Sequence, residues 1–211
     1  SAFYDVKFAV VIMVIPNILT NLHQLYIYRK KILPFFYTIS FAFGGGIGAL
    51  LGTFLLIYLS IDILSIIVSL IVLIYIAFRL IVPNWYLVYK NNRNLFFPFG
   101  FFGGIFQGAA GISAPISITF LNSIKVSRET FISTISVYFI VMSFFQIPSL
   151  IYYDFLTINT FLSSIMCTII LILGMPIGSI VLRKISVNAF NYIILILLGI
   201  ISIKILFKIF I

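Results

Sequence analysis

The chain has 211 residues, of which 63% are hydrophobic and only 8% charged, with a formal net charge of +9 and a mean hydropathy of +1.28. Soluble domains carry about 25% charged residues, so a water-exposed surface cannot be built from this inventory and no separate soluble domain fits. Lys and Arg sit in short clusters between apolar runs, as topology signals do, and not as a patch for nucleic acid.

Cutting the chain at its charges leaves uncharged runs at 8–28, 32–61, 94–124, 130–153, 155–182 and 185–203, and a shorter one at 63–78 that reaches 82 if Arg79 snorkels to the interface. A spanning helix needs about 20 apolar residues. Six ordinary spans are therefore predicted, over 6–28, 33–59, 62–82, 130–152, 159–182 and 187–208. Trp85, Tyr86 and Tyr89 follow the third span, and Tyr152 and Tyr153 end the fourth, where interfacial aromatic belts belong. The single cysteine, Cys167, lies inside an apolar run, where a packing thiol is expected and no internal disulfide can form. Apolar sequence begins almost at Ser1 with no signal-peptide pattern, and a further segment upstream of Ser1 is expected.

The run 94–124 differs from the spans. It reads NLFFPFGFFGGIFQGAAGISAPISITFLNSI, with glycines at 100, 103, 104, 108 and 111 and prolines at 98 and 115. As one straight helix its 31 residues would measure about 46 Å, against a hydrocarbon core of about 30 Å. Pro115 removes a donor in the middle of GAAGISAP. The segment is either a span with a broken middle or a re-entrant hairpin of two half-helices. If it crosses, Arg29, Lys30, Lys31, Arg79, Lys90, Arg93, Lys204 and Lys208 face Lys7, Lys125, Arg128, Arg183 and Lys184, 8 against 5. If it turns back, the count becomes 10 against 3, with Asp5, Asp62 and Asp154 all on the poor side. The positive-inside rule favours turning back, although Lys204 and Lys208 then fall on the wrong side.

Two stretches resemble each other. TNLHQLYIY (20–28) followed by GGGIGALLG (44–52) parallels SFFQIPSLIYY (143–153) followed by ILGMPIGSIVLRK (172–184). Aligning Gln24 with Gln146 pairs Asn21 with Ser143, and Gly48-x-x-x-Gly52 falls near Gly174-x-x-x-Gly178. Small residues at that spacing serve close helix packing. Their order suggests duplication, with 1–89 as a first repeat and 90–211 as a second, together one transmembrane domain. Duplicated halves with a broken helix between them are a plan of secondary transporters. By the same alignment the first repeat should begin with its own glycine-rich element, upstream of Ser1.

Catalysis has little to work with. Asp5, Asp62, Glu129 and Asp154 lie near segment ends, His23 is the only histidine, and neither a metal cluster nor a nucleophile–base pair can be assembled. No cofactor is expected. The glycine-rich break is the first site candidate, because a broken helix exposes backbone N–H groups and a dipole end that suit an anion. Gln107, Gly108, Gly111, Ile112, Ser113, Ala114 and Pro115 belong to it. The second is the stripe Asn17, Asn21 and Gln24 on the first span, with Thr20 beside it. The matching face of the second half carries Thr134, Tyr138, Ser143 and Gln146. Helix-to-helix glue is the competing reading of both polar faces. His23 points off the stripe near the membrane end, as an interfacial anchor, and Lys125, Arg128 and Glu129 read as a solvated loop.

GGIFQGAAGISAPISITFLNSIKVSRETFISTISVYFIVMSFFQIPSL followed by GMPIGSIVLRKIS resembles the second half of the TauE/SafE family, the sulfite exporter-like transporters. VIPNILTNLHQLYIYRK followed by FAFGGGIGALLGTFL resembles elements of the first half, and the likeness runs from about Val10 to Phe207. The resemblance implies a carrier of about eight segments in two repeats for small anions: sulfite, sulfonates and related organic acids. It places the family's glycine-rich stretch on Gly104, Gly108, Gly111, Ser113 and Pro115, and its polar stretch on Pro16, Asn17, Asn21 and Gln24. Ser113-Ala114 stands where many members have Gly-Gly, and the first glycine-rich element is missing.

The expectation is an all-α integral membrane protein of about seven membrane segments in the inner cell membrane, and not an enzyme. It would move a small anion through a site between the repeats near the bilayer midplane. Gly108, Gly111 and Ser113 would give backbone donors, and Asn21, Gln24 and Gln146 amide contacts. No intramembrane carboxylate is present to relay protons. A structural or assembly subunit of a larger membrane complex is the alternative, and a homo-oligomer or complex partner is left open.

Overall fold

The computed structural model describes residues 6–82, 86–184 and 187–210. Trp85 and Asp5 lie outside the described residues, as do the side chains of Tyr89, Lys90, Arg183, Lys184 and Lys208.

The described residues are helical with short connections. The elements are α1 (Val6–Tyr28), α2 (Phe35–Tyr58), α3 (Ile61–Ile81), α4 (Phe96–Ala110), α5 (Thr119–Ser123), α6 (Arg128–Tyr152), α7 (Ile158–Lys184) and α8 (Val187–Phe210). A 3-10 turn over Tyr89–Leu95 leads into α4, and a π-helical turn over Ala114–Ile118 leads into α5. Lys7–Tyr28, Phe35–Tyr58, Ile61–Ile81 and Arg128–Tyr152 are long and apolar enough to cross a membrane. Shorter apolar stretches, Ile158–Gly174 and Leu195–Phe207, lie within α7 and α8. Each predicted span coincides with a helix to within a few residues.

Local chemistry sets several boundaries. Ser60 caps α3 by accepting from the Ile63 N–H at 3.4 Å, and Asp62 occupies the first turn, where a negative charge meets the positive end of the helix. Ser127 caps α6 in the same way, accepting from the Thr130 N–H at 3.3 Å, with Glu129 in the first turn. Pro34 precedes α2 in an extended conformation and ends the connection from α1.

The helices pack in defined pairs. α2 lies along α4 and α6, α1 along α6 and α7, and α3 along α8. The α2–α4 contact is built from glycine on both sides. An added methyl on Gly48 would overlap the Phe101 carbonyl, and one on Gly52 the Ile105 carbonyl. Methyls on Gly100, Gly104 and Gly108 would overlap the carbonyls of Phe41, Gly45 and Ala49. Two backbones approach this closely in lipid because Cβ is missing at every fourth residue of each helix. The Gly48/Gly52 motif is therefore a packing motif. Gly174, its expected counterpart in α7, meets nothing among the described residues within 4 Å.

The run 94–124 turns back. Its outgoing arm is α4 and its return arm is the π-helical turn with α5. Phe120 on the return arm stacks on Phe99 at 4.5 Å with rings 8° apart, and packs edge-on against Phe96 at 5.0 Å. Deeper in, Gly103 leaves the space that Ser117 fills. At the mouth the Leu87 N–H donates to the Ser123 carbonyl at 2.9 Å, so the hairpin leaves beside the point where it entered. Of the two readings open in the sequence, re-entry is the one the contacts support.

Re-entry fixes the two ends of the bundle. At one end Lys7 donates to the Ile57 carbonyl at 3.2 Å and lies over the Phe155 ring, and the hydroxyls of Tyr58 and Tyr153 are 3.0 Å apart. At the other, Ser133 donates to the Lys31 carbonyl, Arg93 lies 3.7 Å from the Phe36 ring centre, and Lys125 lies 4.8 Å from that of Tyr86. The basic clusters at 29–31, Arg93, and Lys125 with Arg128 share that second end.

Candidate substrate cavity

The hairpin tip is made by Gly111. Its φ of +71° is left-handed, a conformation that costs a residue with Cβ about 1–2 kcal/mol. This closes α4, with the Gly111 N–H donating to the Gln107 carbonyl at 2.8 Å and the Ile112 N–H to the Phe106 carbonyl at 3.4 Å. The return arm begins at Ser113, whose carbonyl accepts from the N–H groups of Ile116 and Ser117 at 3.1 and 2.9 Å. Pro115 has no N–H, so no bond from it ties the tip to the end of α4, and the chain opens into a π-helical turn.

Between this tip and α1 lies a cavity of about 410 Å³. The hairpin contributes Gln107, Ala110, Gly111, Ile112, Ser113 and Ile118. From α1 come Ala9, Val10, Met13, Pro16, Asn17 and Thr20, one face of the helix. Phe139 of α6 and Leu171 of α7 also line it, and among the described residues the lining carries no titratable side chain.

The polar groups are donors and are partly pre-oriented. Asn21, buried behind the cavity, donates from Nδ2 to Asn17 Oδ1 at 2.8 Å and to the Asn17 carbonyl at 2.7 Å. With its oxygen occupied, Asn17 has its own Nδ2 left for a ligand. The Thr20 hydroxyl donates to the Pro16 carbonyl at 2.7 Å and keeps its lone pairs. Among the described residues, the Gln107 amide and the Ser113 hydroxyl and N–H are without hydrogen-bond partners.

Of the predicted site residues, Asn17, Gln107, Gly111 and Ser113 meet at the cavity, and Asn21 stands directly behind it. The others lie elsewhere. Gly108 faces α2, and its carbonyl accepts from Gln146 Nε2 at 3.5 Å, so Gln146 ties α6 to the hairpin. Gln24 is half-buried two turns from Asn17, and Pro115 sits in the return arm off the lining. The expected backbone donors need correction as well. The Gly111 N–H is used to cap α4, and the Gly108 N–H lies inside the helix, which leaves Ser113. The tip also presents the C-terminal, carbonyl end of α4 and not a helix N-terminus alone.

The polar face of α6 is mostly glue. The Tyr138 hydroxyl donates to the Gly100 carbonyl at 3.0 Å and accepts from the Ser117 hydroxyl at 2.6 Å, which fastens both arms of the hairpin to α6. Thr134 accepts from the Leu33 N–H at 3.4 Å, and Ser143 is buried. Met13, Phe139 and Leu171 were not foreseen as lining residues. Met13 continues the Asn17 stripe one turn back, and the register that pairs Gln24 with Gln146 also pairs Asn17 with Phe139. Both signals were present in the sequence. Nothing comparable marks Leu171.

Apolar helices of membrane length, arranged around a hairpin that enters and leaves at one end, define an integral membrane protein. The sequence model of the sulfite exporter TauE/SafE family matches residues 1–205. The chain belongs to that family, one of membrane transporters. No match was found among curated proteins or among solved structures.

Proposed function

We propose that the protein carries a small anion, such as sulfite, a sulfonate or a related organic acid, across the inner cell membrane through the cavity at the hairpin tip. The observation that carries this reading is the lining itself. Asn17 Nδ2, the Gln107 amide and Ser113 converge on one cavity as neutral donors. Hydrogen bonds from such donors to an ionised oxygen contribute about 1.5–3 kcal/mol each. That range lets an anion bind without the permanent counter-charge that would hold it. The carbonyl end of α4 opposes an anion, but the Gln107 and Phe106 carbonyls are already occupied by Gly111 and Ile112. The apolar remainder of the lining, with Met13, Phe139 and Leu171, has room for a carbon-bearing acid as well as a bare oxyanion.

A lining with no titratable group among the described residues supports movement driven by membrane potential and not by a proton relay. The basic end of the bundle, with Arg29, Lys30, Lys31, Arg93, Lys125 and Arg128, is the cytoplasmic end on this reading. Proteoliposomes test it with a fully ionised sulfonate. Protein-dependent flux that rises when the destination compartment is made positive is expected. Flux that ignores the imposed potential would count against potential-driven transport. No flux for any small anion would favour the alternative, an assembly subunit.

A further inference from the structure

The two sides of α1 carry different chemistry. Asn17 lies on the side that lines the cavity. Leu19, Leu22 and Tyr26 follow one another at helical spacing on the other side, and Tyr26 is turned half a circle away from Asn17. Their exposures of 44%, 46% and 68% are those of a face turned to lipid. From Leu19 to the end of α1 at Tyr28 the helix rises about 14 Å, close to the hydrocarbon depth of one leaflet, about 15 Å. The face then runs into Arg29, Lys30 and Lys31, all exposed.

This basic end is ordered as well as charged. Among the described residues, Tyr26, Ile27, Tyr28, Arg29, Lys30 and Lys31 line a cavity of about 360 Å³. A guanidinium N–H of Arg29 donates to the Tyr26 carbonyl at 2.9 Å, and the group lies 4.4 Å from the Tyr26 ring centre. The Lys31 N–H donates to the Tyr28 carbonyl at 2.9 Å. Two carbonyls at the end of α1, which would repel an anion, are therefore already occupied. From behind, α6 fixes the turn: Ser133 donates to the Lys31 carbonyl, and Thr134 accepts from the Leu33 N–H. Glu129 in the first turn of α6 lies near Lys31 and Arg128. Arg29 and Lys30 have no carboxylate partner among the described residues. A topology signal needs only the charges. A guanidinium held on an aromatic ring also offers its remaining N–H groups in a fixed fork, which phosphate oxygens match.

We propose that this end of α1 binds an anionic phospholipid, with the phosphate between Arg29 and Lys30 and an acyl chain along Leu22 and Leu19. Charge selects the anionic headgroup, because a zwitterionic one would bring its own cation against three exposed cations. The apolar face selects a lipid over a free oxyanion. The site is separate from the transport cavity, since it occupies the opposite side of α1, and lipid binding there does not depend on what the cavity carries. The bound lipid braces from outside the helix that presents Asn17 inside.

Native mass spectrometry of the detergent-solubilised full chain tests this, with phosphatidylglycerol and phosphatidylcholine of identical acyl chains as probes. Phosphatidylglycerol is expected to bind more tightly. Combining Arg29→Gln with Lys30→Gln should weaken it about 10- to 30-fold, the contribution of two basic side chains near an anionic lipid. Phosphatidylcholine binding should stay unchanged, which reports an intact fold. Combining Lys125→Gln with Arg128→Gln removes the same charge at the same end and should leave phosphatidylglycerol binding nearly unaltered. Equal binding of the two lipids would overturn the proposal. Equal losses in the two double variants would do the same, because diffuse attraction to a basic surface would then account for the binding. Displacement of phosphatidylglycerol by millimolar inorganic phosphate would also overturn it, since the site would then make no use of the acyl face.

Discussion

Gly104→Ala should cost far more stability than Gly199→Ala, and the difference measures how much the hairpin depends on backbone contact with α2. Both substitutions place a methyl inside a helix, so both gain about 1 kcal/mol of helix propensity. Their surroundings differ. The Gly104 methyl would overlap the Gly45 carbonyl and crowd the Ala49 N–H at 2.9 Å, while that of Gly199 would meet, among the described residues, Ile76 Cδ1 at 3.6 Å, an ordinary contact. A backbone carbonyl in the middle of a 24-residue helix cannot swing aside as a side-chain end can. The axes of α2 and α4 must part, which loosens the neighbouring Gly48 and Gly100 contacts too. Overpacking of this kind costs about 1–3 kcal/mol. Because propensity cancels in the comparison, the two variants should differ by roughly that amount, or about 5- to 160-fold in the folding equilibrium. Equilibrium unfolding in mixed detergent micelles, followed by circular dichroism, measures it. A difference below about 0.5 kcal/mol, within the scatter of ordinary surface substitutions, would refute the close α2–α4 packing.

Four further outcomes are expected. Asn17→Ala and Gln107→Ala should each weaken sulfonate transport about 10- to 100-fold in apparent affinity, the loss of one donor to a charged ligand, read as KM in proteoliposomes. Gln146→Ala, which touches the Gly108 carbonyl and not the cavity, should change KM less than either and lower stability instead. Tyr138→Phe loses two hydrogen bonds that fasten the hairpin and should destabilise by about 1–3 kcal/mol, seen as a lower unfolding midpoint with little change in KM. In a background with Cys167 replaced by serine, cysteines introduced at Lys31 and Lys125 should react with a membrane-impermeant maleimide from one side and a cysteine at Asp154 from the other. Opposite sides for 31 and 125 would exclude the re-entrant hairpin.

The spans were legible because hydropathy and length act locally: an apolar run of the right length has few alternatives in lipid. The hairpin was legible only through an indirect signal, the distribution of Lys and Arg. No local rule says whether Gly111 reverses a chain or kinks it; Phe99 stacking on Phe120 decides, and that pairing is invisible until the arms are folded together. Sequence periodicity correctly aligned Asn17 with Asn21, but it could not separate cavity from glue. Asn17 faces the cavity and Asn21 supports it, while Gln146, equally polar and equally placed in its own helix, fastens α6 to the hairpin. Whether a polar side chain finds a carbonyl or empty space depends on the neighbouring helix. The expectation of backbone donors at Gly111 failed for a related reason: a left-handed glycine that ends a helix uses its own N–H to do so.

The return arm also constrains how the protein can be made. Residues 113–123 form a π-helical turn and a five-residue helix, too short to cross a bilayer and with tip donors that α4 does not satisfy. Left alone in hydrocarbon, each unsatisfied backbone group would cost several kcal/mol. A nascent chain therefore cannot store the hairpin in lipid and assemble it later. The segment has to wait at the membrane surface, or in the shelter of the insertion machinery, until α2 can offer its glycine face and α6 its Tyr138. α2 has already been synthesised when the hairpin emerges, and α6 follows within a few residues of its end. The order of elements along the chain is thus an assembly schedule, in which the irregular segment is made between the two helices that make it tolerable.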